Sequence, residues 1–382
     1  MTRQLVFLRL KHLLHVRIFF WFAAGCILLN IYIAGVTFKN RQYPAYTAEF
    51  ARNNGIQITE ESITAAEKLP DSDLKDSLIQ DLYNCEDPWK DSTAQDIYNG
   101  LSDLVPLIKD QSLMQKKYDL LQKRIDTLRL EKEYQDLSCG SVTNDLYNSI
   151  FSMIMRLLTV EILMSAVGAA VWTAYEDQNA GAEQSIAVTW TGRRIQASGY
   201  IASLILVMGI WLAIGGTTIL YLRRFCHLDS FLRSSLSSCY NVRLSGMMPI
   251  PFVSWIPLTG AKALFLHWML QGALAFIFHG IAYALSLRQS SSLHTLMTML
   301  AGAVLLFLAA YILVRNNAFY PFALSLWNPV MTAYLEYIWF TDMGLYSVIP
   351  MQETWISLTW IVITVWMICA GLKKYQRKDL KE

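Results

Sequence analysis

Six apolar runs constrain this 382-residue chain more than any other feature. Ile18 to Val36 carries no charge over nineteen residues. Ile150–Ala174, Ala197–Leu222, Leu264–Leu287, Thr295–Val314 and Trp355–Leu372 follow, and they hold few ionisable residues. A helix needs about 20 apolar residues to cross a hydrocarbon core of ~30 Å. In hydrocarbon every backbone N–H and C=O must be satisfied within the segment, which leaves helices as the solution for runs of this kind. Composition agrees. Hydrophobic residues make up 54% and charged residues 16%, against about 25% charged in an ordinary soluble domain. Twelve Trp and nineteen Tyr suit aromatic belts at the membrane interfaces. The expected fold class is an all-α integral membrane protein with six transmembrane helices and a helical extracellular domain between the first and second.

Residues 1–17 form an amphipathic leader with Arg3, Arg9, Lys11 and Arg17 and no acid. Short basic flanks stay in the cytoplasm. The first span, 18–38, is read as a retained anchor, because no small-residue cleavage site follows it. Residues 39–146 differ in kind, with 20 acids against 13 basic residues and no spanning run. They form an extracellular domain of ordinary size. Thr59-Glu60-Glu61 opens one helix, which ends near Pro70. Leu104 to Leu137 reads as a longer helix on the spacing of Leu113, Tyr118, Leu121, Ile125 and Leu128. Both a coiled-coil-like hairpin and a solvated helix packed on its own domain fit its alternating charges. Cys85 and Cys139 flank it and are the candidate disulfide pair. Residues 147–372 hold the other five spans, and 373–382 form a basic cytoplasmic tail. The chain is therefore a multi-pass protein of the cell membrane with both termini cytoplasmic. Residues 223–261 fit this layout awkwardly. Arg223, Arg224, Arg233 and Arg243 favour the cytoplasm, whereas counting spans puts the segment outside. Either the charge rule fails there or Phe252–Leu258 re-enters the membrane. The prolines at 249, 251 and 257 favour the first.

Ionisable residues inside spans are costly. Arg156 and Glu161 in the second span lie about 140° apart around an ideal helix, so they are no same-face pair. Two readings stay open for this polar point, a transport path and an inter-helix hydrogen bond. His267 and His279 in the fourth span read as hydrogen-bonded packing residues.

The polar stretch 175–196, YEDQNAGAEQSIAVTWTGRRIQ, separates the second and third spans. It holds Glu176, Gly181, Glu183, the mixed apolar segment Ile186–Trp190 and the pair Arg193-Arg194. Phosphate-loop, HExxH and GxSxG motifs are absent from the sequence. No cofactor or metal site is expected, and the net charge of +2 gives no basis for nucleic-acid binding.

This layout resembles the membrane subunit of type-2 ABC transporter permeases, in which an outer domain follows the first span. In that family the loop after the second span runs acid, glycine, mixed apolar residues, basic residues and then the third span, as Glu176, Gly181, Ile186–Trp190 and Arg193-Arg194 do here. Many relatives carry a lysine at the entry to the third span, where this chain has Ala197-Ser198-Gly199. The resemblance implies that 175–196 is a cytoplasmic coupling element that docks on a separate ATPase, with Glu176, Gly181, Glu183, Trp190, Arg193 and Arg194 forming its surface. It also implies a second permease subunit, identical or similar. The chain itself would be no enzyme, and ATP hydrolysis would lie on the partner. Expected cargo is hydrophobic or amphipathic: a peptide, a lipid-like molecule or a drug. The alternative function is a membrane sensor or scaffold whose outer helical domain binds a ligand.

Overall fold

The computed structural model describes residues 3–39, 42–109, 111–181, 195–245, 248–316 and 318–377. Six helices in it are long and apolar enough to cross a membrane. They are α2 (Arg17–Phe38), the rod Gly140–Asn179, α10 (Ile195–Phe225), α12 (Gly260–Ser286), α13 (Ser292–Arg315) and α16 (Gln352–Arg377). The rod comprises a 3₁₀ turn, α8 (Thr143–Tyr147), a π-helical stretch (Asn148–Met155) and α9 (Arg156–Asn179). Each predicted span is present, extended at its ends by a few residues. α9, α10 and α12 pack into the centre of the bundle. Trp211 of α10 stacks on Trp268 of α12 at 4.9 Å between ring centroids. Each indole lies over a glycine of the other helix. A Cβ on Gly215 would meet Trp268 at 2.3 Å and one on Gly272 would meet Trp211 at 2.8 Å, so the two glycines are what let these helices approach.

The bundle has two unlike ends. One carries α1 (Arg3–His15), the α9–α10 junction and the turn between α12 and α13. The other carries the helical domain together with 226–259 and 316–351. In the domain, α3 (Gln42–Asn54), α4 (Glu60–Glu67), α5 (Asp73–Tyr83), α6 (Ala94–Leu104) and α7 (Ser112–Leu130) are linked by short turns. Thr59, Ser72 and Thr93 cap α4, α5 and α6 by accepting from the backbone N–H three residues on, which satisfies donors that a helix start leaves free. Phe50, Ala66, Leu78, Leu82 and Leu137 form a small core beneath α3–α5.

The expected single helix from Leu104 to Leu137 is a shorter one, α7, between two 3₁₀ turns. Pro106 offers no N–H and restricts Val105 before it, so α6 stops at Leu104. A 3₁₀ turn over Pro106–Ile108 leads to α7, which ends at Leu130 before the left-handed Lys132 (φ 55°). As one of the two readings had it, α7 packs on its own domain, against α6, but its inner face carries charge. Lys117 and Arg124 lie two turns apart on its face and are buried with Met114, Tyr118, Leu121, Ile125 and Leu128. Lys117 Nζ reaches Asp342 at 2.6 Å and donates to the carbonyls of Gly344 (2.7 Å) and Ser347 (3.1 Å). Arg124 pairs with Glu133 at 2.7 Å and donates from Nε to the Ser254 carbonyl at 2.9 Å. Through these two cations α7 holds both outlying segments.

Residues 226–259 therefore sit beside the domain. They contain α11 (Asp229–Arg233) and an antiparallel hairpin, β1 (Val242–Ser245) and β2 (Met248–Pro251), in register Val242↔Pro251 and Arg243↔Ile250. Phe252, Val253, Trp255 and Leu258 are buried there and do not start a re-entrant helix. Trp255 donates its backbone N–H to Phe340 O and its indole N–H to Thr341 O, both at 2.9 Å. The third segment adds α14 (Phe319–Ser325) and α15 (Pro329–Tyr334).

Replacing Lys117 by Met removes the buried ammonium that Asp342 shares with the carbonyls of Gly344 and Ser347. The expected loss is about 3–5 kcal/mol, since breaking a buried pair strands its partner. Adding Asp342→Leu should recover most of it. Thermal unfolding of the detergent-solubilised variants checks both, and a Lys117→Met protein as stable as wild type would refute the pinning role.

Candidate functional site

Two polar constellations stand out, one at each end of the rod. At the α1 end, Tyr175, Glu176 and Asp177 occupy the last turns of α9. Carboxylates there face the negative end of the helix dipole and need a cation. Arg9 supplies it. Its guanidinium donates to Glu176 Oε2 at 2.7 Å and to both oxygens of Asp177 at 2.5 and 2.7 Å. His12 Nδ1 lies 2.5 Å from Glu176 Oε1. Burial works against the charged guanidinium, but Asp177 and Glu176 outweigh it and hold the Arg9 pKa above the usual arginine value. α1 itself packs along α10 with Leu13 fully buried.

Gly181 closes α9. Its φ is +66° and its N–H bonds to Gln178 O. A residue with a Cβ is strained in that left-handed region, which explains a glycine one turn after the acids. Tyr175 Oη lies 2.9 Å from Thr295 Oγ1, and Gln178 donates to Ser290 O at 3.2 Å, so the end of α9 is also tied to the α12–α13 turn. Across the junction, Tyr283 Oη donates to Gln196 at 2.7 Å, fixing the start of α10. Of the residues expected to form a coupling surface, Glu176 and Gly181 lie here. Glu183, Trp190, Arg193 and Arg194 lie outside the described residues.

Within the bundle, Glu161 accepts from Asn30 Nδ2 at 2.8 Å, which joins α9 to α2. This is the inter-helix hydrogen bond among the two readings of the sequence. Arg156 is far from it in role. Its guanidinium lies over Tyr334 and Tyr337 at 5.3 and 5.9 Å, at the domain end. The two charges are not brought together.

The second constellation was missed by sequence reasoning. Gln271 of α12 donates from Nε2 toward Met155 O (3.0 Å), Thr159 Oγ1 (2.9 Å) and Glu336 Oε1 (2.7 Å). His267 bridges Ala263 O and Glu336 O at 2.8 and 3.2 Å, which fits its predicted packing role. Glu336 is wholly buried, and burial pushes its carboxyl up to about 8, with Arg156 acting in the opposite sense. The signal was present as a single acid among aromatics in Tyr334–Trp339 and a lone amide in the fourth span. Met155, whose carbonyl takes part, ends the π-helical stretch, a local widening often found at functional positions.

Beside α10, a groove of about 360 Å³ is lined by Phe265 and Trp268 and by the charged residues Arg223, Asp229 and Arg233. The disulfide expected between Cys85 and Cys139 is not what the fold brings together. Cys139 is fully buried, and Cys85 Sγ instead lies 2.8 Å from Cys239 Sγ.

Fold and sites together define a class, a six-helix bundle of membrane-spanning length with a helical domain locked onto one end. Compared with known proteins, the chain matches no family model, no curated protein and no solved structure.

Two outcomes follow. A carboxyl raised in the folded state favours folding while protonated, so the contribution of Glu336 is complete below about pH 4 and is lost as pH rises through about 8. Asp136, pushed up to about 6 by burial, acts in the same sense at lower pH. The melting temperature should therefore fall between about pH 5 and 8, and Glu336→Gln should flatten that slope. Arg9→Ala should free α1, read as faster amide exchange over 3–15, with the domain end unaffected.

Proposed function

We propose that this chain is the permease subunit of an ATP-driven exporter of the type-2 ABC class, with the α1 end in the cytoplasm and the domain end outside. The observation that carries the reading is the fixed seat around 182–194. α9 ends on Arg9 and on the α12–α13 turn, and α10 starts on Tyr283. A chain without a nucleotide motif must receive work through a contact, and helix ends held this firmly pass a push to the bundle. Basic residues at this end, Arg3, Lys11, Arg17, Lys373 and Lys374, agree with a cytoplasmic face. The partners are a separate ATPase, a second permease subunit and the bilayer. Cargo is hydrophobic or amphipathic. The groove beside α10, lined by apolar side chains together with Arg223, Arg233 and Asp229, is consistent with the amphipathic kind.

Glu176 enters this reading in a changed role. It is engaged by Arg9 and His12, so it shapes the seat, and the docking charges are Glu183, Arg193 and Arg194 with Trp190 as the apolar anchor. Trp190→Ala should weaken ATPase binding by about 2 kcal/mol, roughly 30-fold. Exchange of Arg193 and Arg194 for Glu should uncouple ATP hydrolysis from transport in a folded permease, while Arg288→Glu in the other turn does little. Introduced cysteines report the sides. Ser112→Cys should react with an impermeant maleimide added outside and Ser185→Cys should not. Loop variants that bind an ATPase normally, or the reverse labelling pattern, would remove the proposal.

A further inference from the structure

We propose that Cys85 and Cys239 form a disulfide that bolts the helical domain to the segment between the third and fourth spans. The inference rests on the reading that the domain end faces outside, where thiols meet an oxidising environment. The geometry stands apart from that reading. The two sulfurs lie 2.8 Å apart although 154 residues separate them in sequence. Neither cysteine is fully buried, so an oxidant has access to both.

The surrounding backbone brings them together without relying on the thiols. Cys239 donates its N–H to Tyr134 O at 2.9 Å, and the Cys85 thiol points at the same carbonyl at 3.7 Å. On either side, Ser238 Oγ donates to Asp136 O at 2.6 Å and Tyr240 Oη donates to the Asp81 carbonyl. Ser235 N–H donates to Asp136 Oδ2 at 2.6 Å. Residues 235–240 thus lie along 133–136 through bonds of their own, and the sulfurs meet where these strands of chain converge. A metal is the other use of paired thiols, but the described residues hold no cluster of three His, Cys, Asp or Glu that would complete its ligands.

Cys85 is the attacking thiol, because the hydrogen bond from Cys239 lowers its pKa and thiolate is the nucleophile. Its sulfur attacks a disulfide of the oxidant, a protein or small-molecule disulfide. The sulfur–sulfur bond of the oxidant breaks, one thiolate leaves, and a mixed disulfide forms at Cys85. Cys239 then gives up its proton and displaces the second thiolate. Both cysteines are oxidised, the oxidant takes the electron pair, and the two protons end on its released thiols. The bond closes a loop that contains the second and third spans, so the domain cannot swing away from 226–259.

The test uses full-length protein in native membranes, alkylated with a maleimide at neutral pH before denaturation, digestion and mass spectrometry. The expected product is a Cys85–Cys239 linked peptide that reduction abolishes, with neither cysteine alkylated beforehand. In a Cys85→Ser variant, Cys239 should become alkylated while buried Cys139 stays unlabelled, which reports that the fold is intact. Should that variant misfold, the wild-type peptide map alone decides. Cys85 and Cys239 both alkylated by an impermeant reagent from outside would overturn the disulfide and leave the topology standing. Labelling of both only after permeabilisation, with Ser112→Cys behaving likewise, would overturn the topology and the disulfide with it. A link from either residue to Cys139 would overturn the pairing.

Discussion

The burial of Lys117 is the constraint on which the domain end depends. Removing an ammonium from water costs several kcal/mol, and only close, fully hydrogen-bonded partners offset it. Those partners come from more than 200 residues away, Asp342 and the carbonyls of Gly344 and Ser347. A helix carrying such a residue on its apolar face has one register in which the charge is satisfied. Arg124 repeats the device two turns on, with Glu133 and Ser254. The hydrophobic face of α7 would accept many neighbours. The two cations accept one arrangement, in which the domain, 226–259 and 316–351 form a single cap.

The α1 end is built from charges at helix ends, largely covered by their own contact. Glu176 and Asp177 are unfavourable on α9 alone, and Arg9 is of little use on α1 alone. Their contact converts both into a clamp. It positions the leader helix against α10 and frames the junction that contains 182–194.

The spans were legible because the membrane demands length and apolarity, and α2, α10, α12, α13 and α16 each show both in an unbroken run. The placement of 226–259 was half legible. Its prolines argued against re-entry, while its arginines argued for the opposite end of the bundle. What decides is tertiary, the bonds from Trp255 to Phe340 and Thr341. α7 was misjudged for a related reason. Lys117 and Arg124 look like surface charges in a list of residues, yet they fall seven apart, in line with Leu121 and Leu128. The same spacing that marks a core stripe therefore marked them as part of it. Glu336 and Gln271 meet only because α12 passes the 316–351 segment, and no local pattern encodes that meeting. Cys239 escaped notice because proximity in sequence suggested Cys139.

The rod Gly140–Asn179 joins these two ends. Forty residues of continuous helix span about 60 Å, enough to reach from the cap, through the bilayer, to the Arg9 clamp. It contains no proline, and Glu161 ties its middle to α2 through Asn30. A helix of this kind moves as a body, so on the permease reading a push at the α9–α10 junction arrives at the cap with little lost in bending. The rod changes character at its cap end, in the 3₁₀ turn Gly140–Val142 and the π-helical stretch Asn148–Met155. The π-helical stretch lies where the rod enters the cap, next to Gln271, Glu336 and Arg156. On the permease reading, motion that the cap resists is taken up in that stretch, because its backbone pairing differs from that of the α-helix that follows.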